Sequence, residues 1–280
     1  MIHPKVTIMV CCHKKDFFYD GKGYFPIQVG KALSSVDLEI QGDDTGENIS
    51  EKNPNFCELT AHYWLWKKGI ETKYVGLNHY RRYFDFKQGS RGYFFQNMSE
   101  SNIKKGTLDL PDNLDLIFQN YDVVLANPMH YPISIGMHYC IKHDKDDLKA
   151  LRDIIRDKFP EYIESFDFII NGNKLSLCNM FIMNKALFDS YSEWLFNLLF
   201  ALEKRNKCWS DQYQSRVFGF LSERLLNVYV HHNRLRVKYY PIIKISEDRP
   251  LNNIKGYLKN WSSNIIYTIL KRFPECQIKY

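Results

Sequence analysis

The 280-residue chain lacks most of the short signatures that announce a chemistry. It has no P-loop G-x-x-x-x-G-K-[ST], no G-x-G-x-x-G, no H-E-x-x-H and no G-x-S-x-G. These absences weigh against nucleotide kinases, dinucleotide dehydrogenases, zinc metalloproteases and serine hydrolases of the α/β type. No D-x-D triplet closes a strand-like run, so the usual carboxylate pair for a divalent cation is missing there. No window is apolar enough to span a bilayer, and the first fifteen residues hold too short an apolar run for a signal peptide. There is no internal repeat and no low-complexity tract. C-x-x-C is absent too, and the seven cysteines (11, 12, 57, 140, 178, 208 and 276) read as reduced thiols of a cytosolic protein. Cys11 and Cys12 are adjacent in a strand-like run, so their side chains point to opposite faces and are poorly placed to share a metal.

What is present is an ordinary globular composition, 45% hydrophobic and 25% charged, with aromatics heavy at 15%. The length suits one large domain with little room for a second core. The formal net charge of +6 is modest and suits an anionic ligand or surface. Apolar runs at 6–12, "TKYVGLNHY" and "YDVVLANP" predict buried strands. "KLSLCNMFIMNK" predicts another, with Asn179 in its middle, and residues 34–50 predict a short strand followed by a polar turn. Between them, "NPNFCELTAHYWLWKKGI" predicts one helix bracketed by Pro54 and Gly69. "KDDLKALRDIIRDKFPEY", "SYSEWLFNLLFALEKRN" and "DQYQSRVFGFLSERLLNVYV" predict three more. Residues 87–113 read as a long irregular excursion. Strands alternating with helices predict an α/β fold with a mostly parallel mixed sheet flanked by helices, and ligands bind such sheets at the carboxyl ends of strands.

Polar clusters fall at those ends. "NHYRR" offers Asn78, His79, Tyr80, Arg81 and Arg82. Paired guanidiniums suit a diphosphate. The plainer alternative is one arginine in an internal ion pair and the other solvated. "GDDTGEN" supplies Asp43, Asp44, Thr45 and Asn48, either a sugar-binding or metal-binding turn or simply a solvated one. Asp211, Arg216, Glu223 and Arg224 cluster in a helical stretch. There a carboxylate serves either as a general base on a hydroxyl or in a structural ion pair. His231 and His232, read on a strand, face opposite sides and are a weak metal signal.

"GDDTGENISEKNPNFCELTAHYWLWKK" followed by "YVGLNHYRRYF" resembles a family of bacterial proteins long labelled as a domain of unknown function. "YDVVLANP", "CNMFIMNK", "YSEWLF" and "RVFGFLSERLLNVYV" continue the likeness in order, over roughly residues 5–245. The family is found in capsule, exopolysaccharide and O-antigen clusters and is classed with glycosyltransferases. The resemblance implies a single domain similar to type A glycosyltransferases over residues 1–248, and the pattern of the residues beyond it predicts a C-terminal amphipathic helical tail over 249–280. It implies a nucleoside diphosphate sugar, a UDP-hexose, as donor and a hydroxyl of a lipid-linked glycan as acceptor, at the cytosolic face of the membrane. His13 and the 42–48 turn (Asp43, Asp44, Thr45, Asn48) would bind nucleoside or ribose. Asn78, His79, Tyr80, Arg81 and Arg82 would hold diphosphate or sugar. Asn179 would contact sugar or acceptor, and Asp211, then Glu223, would serve as base if the reaction inverts the anomeric centre, whereas a retaining reaction, the open alternative, needs no such base.

Where relatives carry D-x-D, this chain reads Asn78-His79-Tyr80. No cofactor is therefore expected, with arginine charge in place of Mn²⁺ or Mg²⁺ and a bound divalent cation as the alternative. Two other classes compete. One is an inactive scaffold of a polysaccharide assembly complex. The other is a nucleic-acid-binding module, suggested by "HYRRYF" and opposed by the modest charge. In the tail, Ile254, Tyr257, Leu258, Trp261 and Ile265 form one helical stripe flanked by Lys255 and Lys259, with Lys271 and Arg272 following. That stripe fits a membrane surface or a packed helix equally.

Overall fold

Val6–Cys12, the first apolar run, is the strand on which the sheet is built, and six of its seven residues are buried. The computed structural model describes residues 5–87, 94–112, 114–205, 214–246 and 253–271. In chain order the elements are β1 (Val6–Cys12), β2 (Tyr24–Gln28), β3 (Gln41–Gly42), α1 (Asn53–Phe56), α2 (Leu59–Lys68), β4 (Tyr74–His79), β5 (Arg82–Phe84) and β6 (Phe95–Met98). Then follow α3 (Leu114–Asn120), β7 (Val123–Ala126), β8 (Met129–His130), α4 (Ile135–Lys142), α5 (Lys145–Lys158), α6 (Ile163–Asn171), β9 (Lys174–Leu175) and β10 (Phe181–Asn184). The chain continues through α7 (Lys185–Glu203), α8 (Val217–His232), β11 (Val237–Tyr240), β12 (Ile242–Ile245) and α9 (Asn253–Leu270).

The main sheet runs β11-β7-β10-β4-β1-β2-β3. β1 is parallel to β2 and β4, β2 to β3, and β7 to β11, while β10 is antiparallel to both its neighbours. β5 turns off β4 and joins β12 and β6. Each sheet face buries its own apolar cluster. Met9, Cys11, Leu77 and Phe181 pack with α2, α5, α7 and α8, and Val10, Cys12, Tyr83 and Ile242 pack on the other side. Cys11 and Cys12 thus diverge as strand alternation requires.

The helices follow their patterning. In α5, Leu148, Leu151 and Ile155 are fully buried, and Asp144 caps the first turn by accepting from the Asp146 amide at 2.8 Å. In α7, Leu195, Leu198 and Leu199 are fully buried, and the Asn184 cap sets its start earlier than the stripe alone indicates. Three expectations are corrected. The single helix over 53–69 is two helices, broken at Cys57, whose φ is 52°. The Asn53 amide donates to the Cys57 carbonyl at 2.8 Å and holds the break. Asn179 is not inside a strand: β10 starts at Phe181, and Cys178 and Asn179 form a left-handed turn with φ of 73° and 50°. Finally, His231 and His232 end α8 rather than lying on a strand, with His231 bonded to Ser165 and His232 stacked on Tyr162.

Gly76 sits in β4 at the middle of the sheet. A Cβ there would meet the Phe181 carbonyl oxygen at 2.8 Å, on the backbone of neighbouring β10. Gly76→Ala should therefore cost about 1–3 kcal/mol of stability. Urea unfolding measures this, and an unchanged midpoint would refute the contact.

Candidate functional site

His79 ends β4 and Arg82 begins β5, so the reversal between them lies at the carboxyl edge of the sheet. A cavity of about 370 Å³ opens there. Its walls come from distant stretches: Cys57 and Glu58 at the α1–α2 break, the turn at Leu177 and Cys178, His138 and Lys142 of α4, and Arg216 to Arg224 around the start of α8, with Phe95 and Tyr131 completing them.

One polar network joins these walls. Asn179 donates from Nδ2 to Glu58 Oε1 at 2.7 Å and to the Gly219 carbonyl at 3.2 Å. The Cys178 amide donates to Glu223 Oε1 at 2.8 Å, and Asn227 bonds both the Ser176 amide and its carbonyl. These tertiary bonds hold two non-glycine residues at positive φ, a conformation that is costly unless its surroundings enforce it. Gly219 lets α8 approach, because a Cβ there would already touch Cys57 Sγ at 3.2 Å.

Glu58 and Glu223 both face the cavity with side chains only 11% and 20% exposed. Burial pushes both carboxyls above their usual range. The Asn179 hydrogen bond opposes the rise at Glu58, and the Arg224 charge opposes it at Glu223. His79 is pushed down to about 3, by burial and by the charge of Arg82. Its Nε2 donates to the Cys178 carbonyl at 2.8 Å and lies 3.7 Å from Glu58. His138 is pushed down to about 4 by burial, then by Arg224 and Lys142. At neutral pH these two imidazoles are uncharged, so the positive charge of the cavity comes from Arg82, Lys142, Arg216 and Arg224.

The structure separates the adjacent arginines. Arg81 pairs with Asp16 and lies 5.4 Å over the Tyr80 ring, with its side chain 41% exposed. Arg82 lines the cavity, and its side chain makes no hydrogen bond or ion pair with the described residues. The Glu58 carboxyl and the His79 ring both feel its charge.

The other predicted positions lie elsewhere. His13 is exposed at the end of β1, edge-on to buried Tyr80 at 5.2 Å. Asp43 is fully buried and accepts from the Gly30 and Lys31 amides and from the Ser50 hydroxyl, tying β2 to its turn. Thr45 accepts from the Trp64 indole at 2.9 Å, and Asn48 bonds Ser50 and Gly46 within its own turn. Asp44 is exposed. None of these residues lines the cavity. Asn78 is fully buried opposite Val10, and neither of its amide atoms has a partner among the described residues. Asp211 lies outside the described residues.

The Asn78-His79-Tyr80 position does not fit a divalent cation. Such an ion wants several oxygen ligands. Here the amide is buried in the sheet, the imidazole Nε2 is spent on Cys178, and the phenol packs against His13. Among the described residues no group of three or more His, Cys, Asp or Glu is placed to hold a metal.

Sequence reading missed Glu58, His138, Lys142 and His143. The one signal for Glu58 was its place beside Cys57 inside a recognised motif. An acidic residue at a helix start otherwise reads as a routine favourable charge.

A family profile described as "Domain of unknown function (DUF4422)" matches residues 7–234. A solved structure titled "WbbM bifunctional glycosyltransferase apo structure" superposes with a TM-score of 0.73 at 29% identity, over 89% of this chain and 46% of that one. The chain thus spans about half the length of that structure. A search of curated proteins returned no match.

Proposed function

Since the chain belongs to the DUF4422 family and has the fold of a glycosyltransferase, we propose that residues 1–248 transfer a sugar from a nucleoside diphosphate sugar to a hydroxyl. The donor is a UDP-hexose, and the acceptor is a growing bacterial surface polysaccharide. The observation that carries this reading is the pairing, in one cavity at the carboxyl edge of the sheet, of two burial-raised carboxylates with four basic side chains.

The geometry supports the following division of labour. The acceptor hydroxyl attacks the anomeric carbon, and Glu223 takes its proton as the new C–O bond forms. A carboxylate with a raised pKa is a stronger base than an ordinary one, closer to neutral pH. The bond from the anomeric carbon to the phosphate oxygen breaks, and the departing diphosphate carries off the electron pair. Arg82 and Arg216 face the charge that develops there, in a site where low local dielectric strengthens the attraction. Glu58 positions the turn through Asn179. A base acting on the attacking hydroxyl makes the reaction inverting.

Thermal shift with nucleotides tests the donor. UDP should stabilise the chain by about 2.7 kcal/mol at ~100 times its Kd. The shift should be the same in EDTA as in Mn²⁺, because arginines receive the diphosphate. A shift that vanishes in EDTA would defeat the arginine assignment. No shift with any nucleoside diphosphate would favour a non-catalytic scaffold instead.

A further inference from the structure

α9 docks with its faces reversed. The side turned to the protein is polar. Asn260 Oδ1 accepts from the His130 amide at 3.4 Å, Asn264 Oδ1 accepts from Asn173 Nδ2 at 3.3 Å, and the Tyr267 hydroxyl donates to the Asn171 carbonyl. Ser263, on the same side, is buried. The outward side is apolar: Leu258, Trp261, Ile265, Ile266 and Ile269 are all exposed, Trp261 at 59%. At 3.6 residues per turn, Leu258, Trp261, Ile265 and Ile269 fall within an arc of about 80°, and Ile266 widens the stripe to about 140°. A helix serving only a water-soluble body turns its apolar stripe inward. A contiguous stripe turned outward marks a surface for something else.

We propose that this face lies in the plane of an anionic lipid surface. Residues 253–270 contain two lysines and no acidic residue, Lys259 is exposed beside the stripe, and Lys271 is exposed just past the end of the helix. That is the make-up of an interfacial helix, with a tryptophan for the headgroup boundary and lysines for acidic headgroups. Among the described residues no helix is long and apolar enough to cross a membrane, so α9 is read as lying flat. A second copy is a poorer occupant. A two-fold contact through this face would present lysines to a helix with no carboxylate to meet them. Ile254, Lys255 and Tyr257 of the expected stripe, and Arg272 beyond it, lie where side chains are not described.

The placement has a consequence for the cavity. α9 packs on β6 and β8, and Phe95 of β6 and Tyr131, the residue after β8, both line the cavity wall. Resting on the glycosyltransferase reading, this brings the site close to an acceptor carried on a lipid.

Flotation of the full chain tests the surface directly and reads no activity. It uses phosphatidylcholine vesicles with and without phosphatidylglycerol. The chain should float with the anionic vesicles and far less with the neutral ones, and added salt should weaken it. Trp261→Ser/Ile265→Ser/Ile269→Ser should lower partitioning roughly tenfold or more at an unchanged melting temperature and an unchanged UDP shift. Lys259→Glu/Lys271→Glu should lose only the preference for anionic lipid. A wild-type chain left at the bottom with anionic vesicles overturns the proposal, as does a triple variant that floats like wild type. A wild-type dimer made monomeric by the triple variant, with no flotation, assigns the face to a second copy. Because the UDP shift is read on the same preparations, a failed flotation leaves the donor assignment standing, and the reverse holds too.

Discussion

Glu223→Gln is expected to lower the transfer rate about 10²–10⁴-fold, the range that a positioned general base contributes. The amide oxygen can still accept from the Cys178 amide, so the turn at 176–180 should survive. The same variant should be more stable than wild type at alkaline pH. Burial raises the Glu223 carboxyl, so the folded chain holds that proton more tightly than the unfolded chain does. The stability this supplies is fully present below the unfolded carboxylate pKa, about 4.3. It is lost as pH rises through the higher folded value. Glutamine is neutral throughout and escapes that loss. Urea unfolding at pH ~8 should therefore favour the variant, and unfolding at pH ~4 should show little difference. In the wild type, kcat/KM should fall as pH drops through a value above the ordinary carboxylate range. Full activity in the variant, or a stability difference indifferent to pH, would remove Glu223 from the base role.

Arg82→Ala is expected to reduce transfer about 10²–10³-fold, as loss of a fixed donor to a developing anion does. Its effect on folding should be small or favourable, since Arg82 bonds no described side chain in the folded chain. Arg81→Ala is the matched control. It gives up an ion pair to Asp16 in which the two side chains are 41% and 20% exposed. Pairs of that kind contribute about 0–1 kcal/mol. Transfer should stay within a few-fold of wild type. Parallel rate and urea measurements on the two variants decide the matter. Equal losses of rate would show that adjacent positions share one task and that the separation across the strand reversal is without consequence.

The split between neighbours also illustrates what a sequence can reveal. Long apolar runs such as 6–12 and 74–79 have a single physical outcome, a strand buried on both faces, and that is what forms. The stripes of α5 and α7 are equally direct. The breaks are not. Cys178 takes positive φ where distant Glu223 accepts from its amide, and Cys57 takes it where Asn53 holds its carbonyl and α8 packs on its sulfur, while "FCE" and "LCN" contain no residue type that favours a bend. For the site, polar strand ends pointed to the carboxyl edge of the sheet, where His79, Arg82 and Glu223 line one cavity. The 42–48 turn looked just as inviting, yet Asp43, Thr45 and Asn48 spend their side chains inside the protein. A turn that binds a ligand and a turn that binds its own backbone use the same residue types. Glu58 was hidden for a related reason, because its distinction is a buried partner 121 positions away.

That long-distance partnership bears on how such a protein can change over generations. Glu58, Asn179 and Glu223 come from three remote stretches, yet they share one turn, directly or through its backbone. Residues so coupled do not contribute independently. A drift at any one of them strands a polar group that the others had satisfied. A substitution at one of the three should therefore be tolerated only with a compensating change at the others, whereas exposed positions around them carry no such coupling.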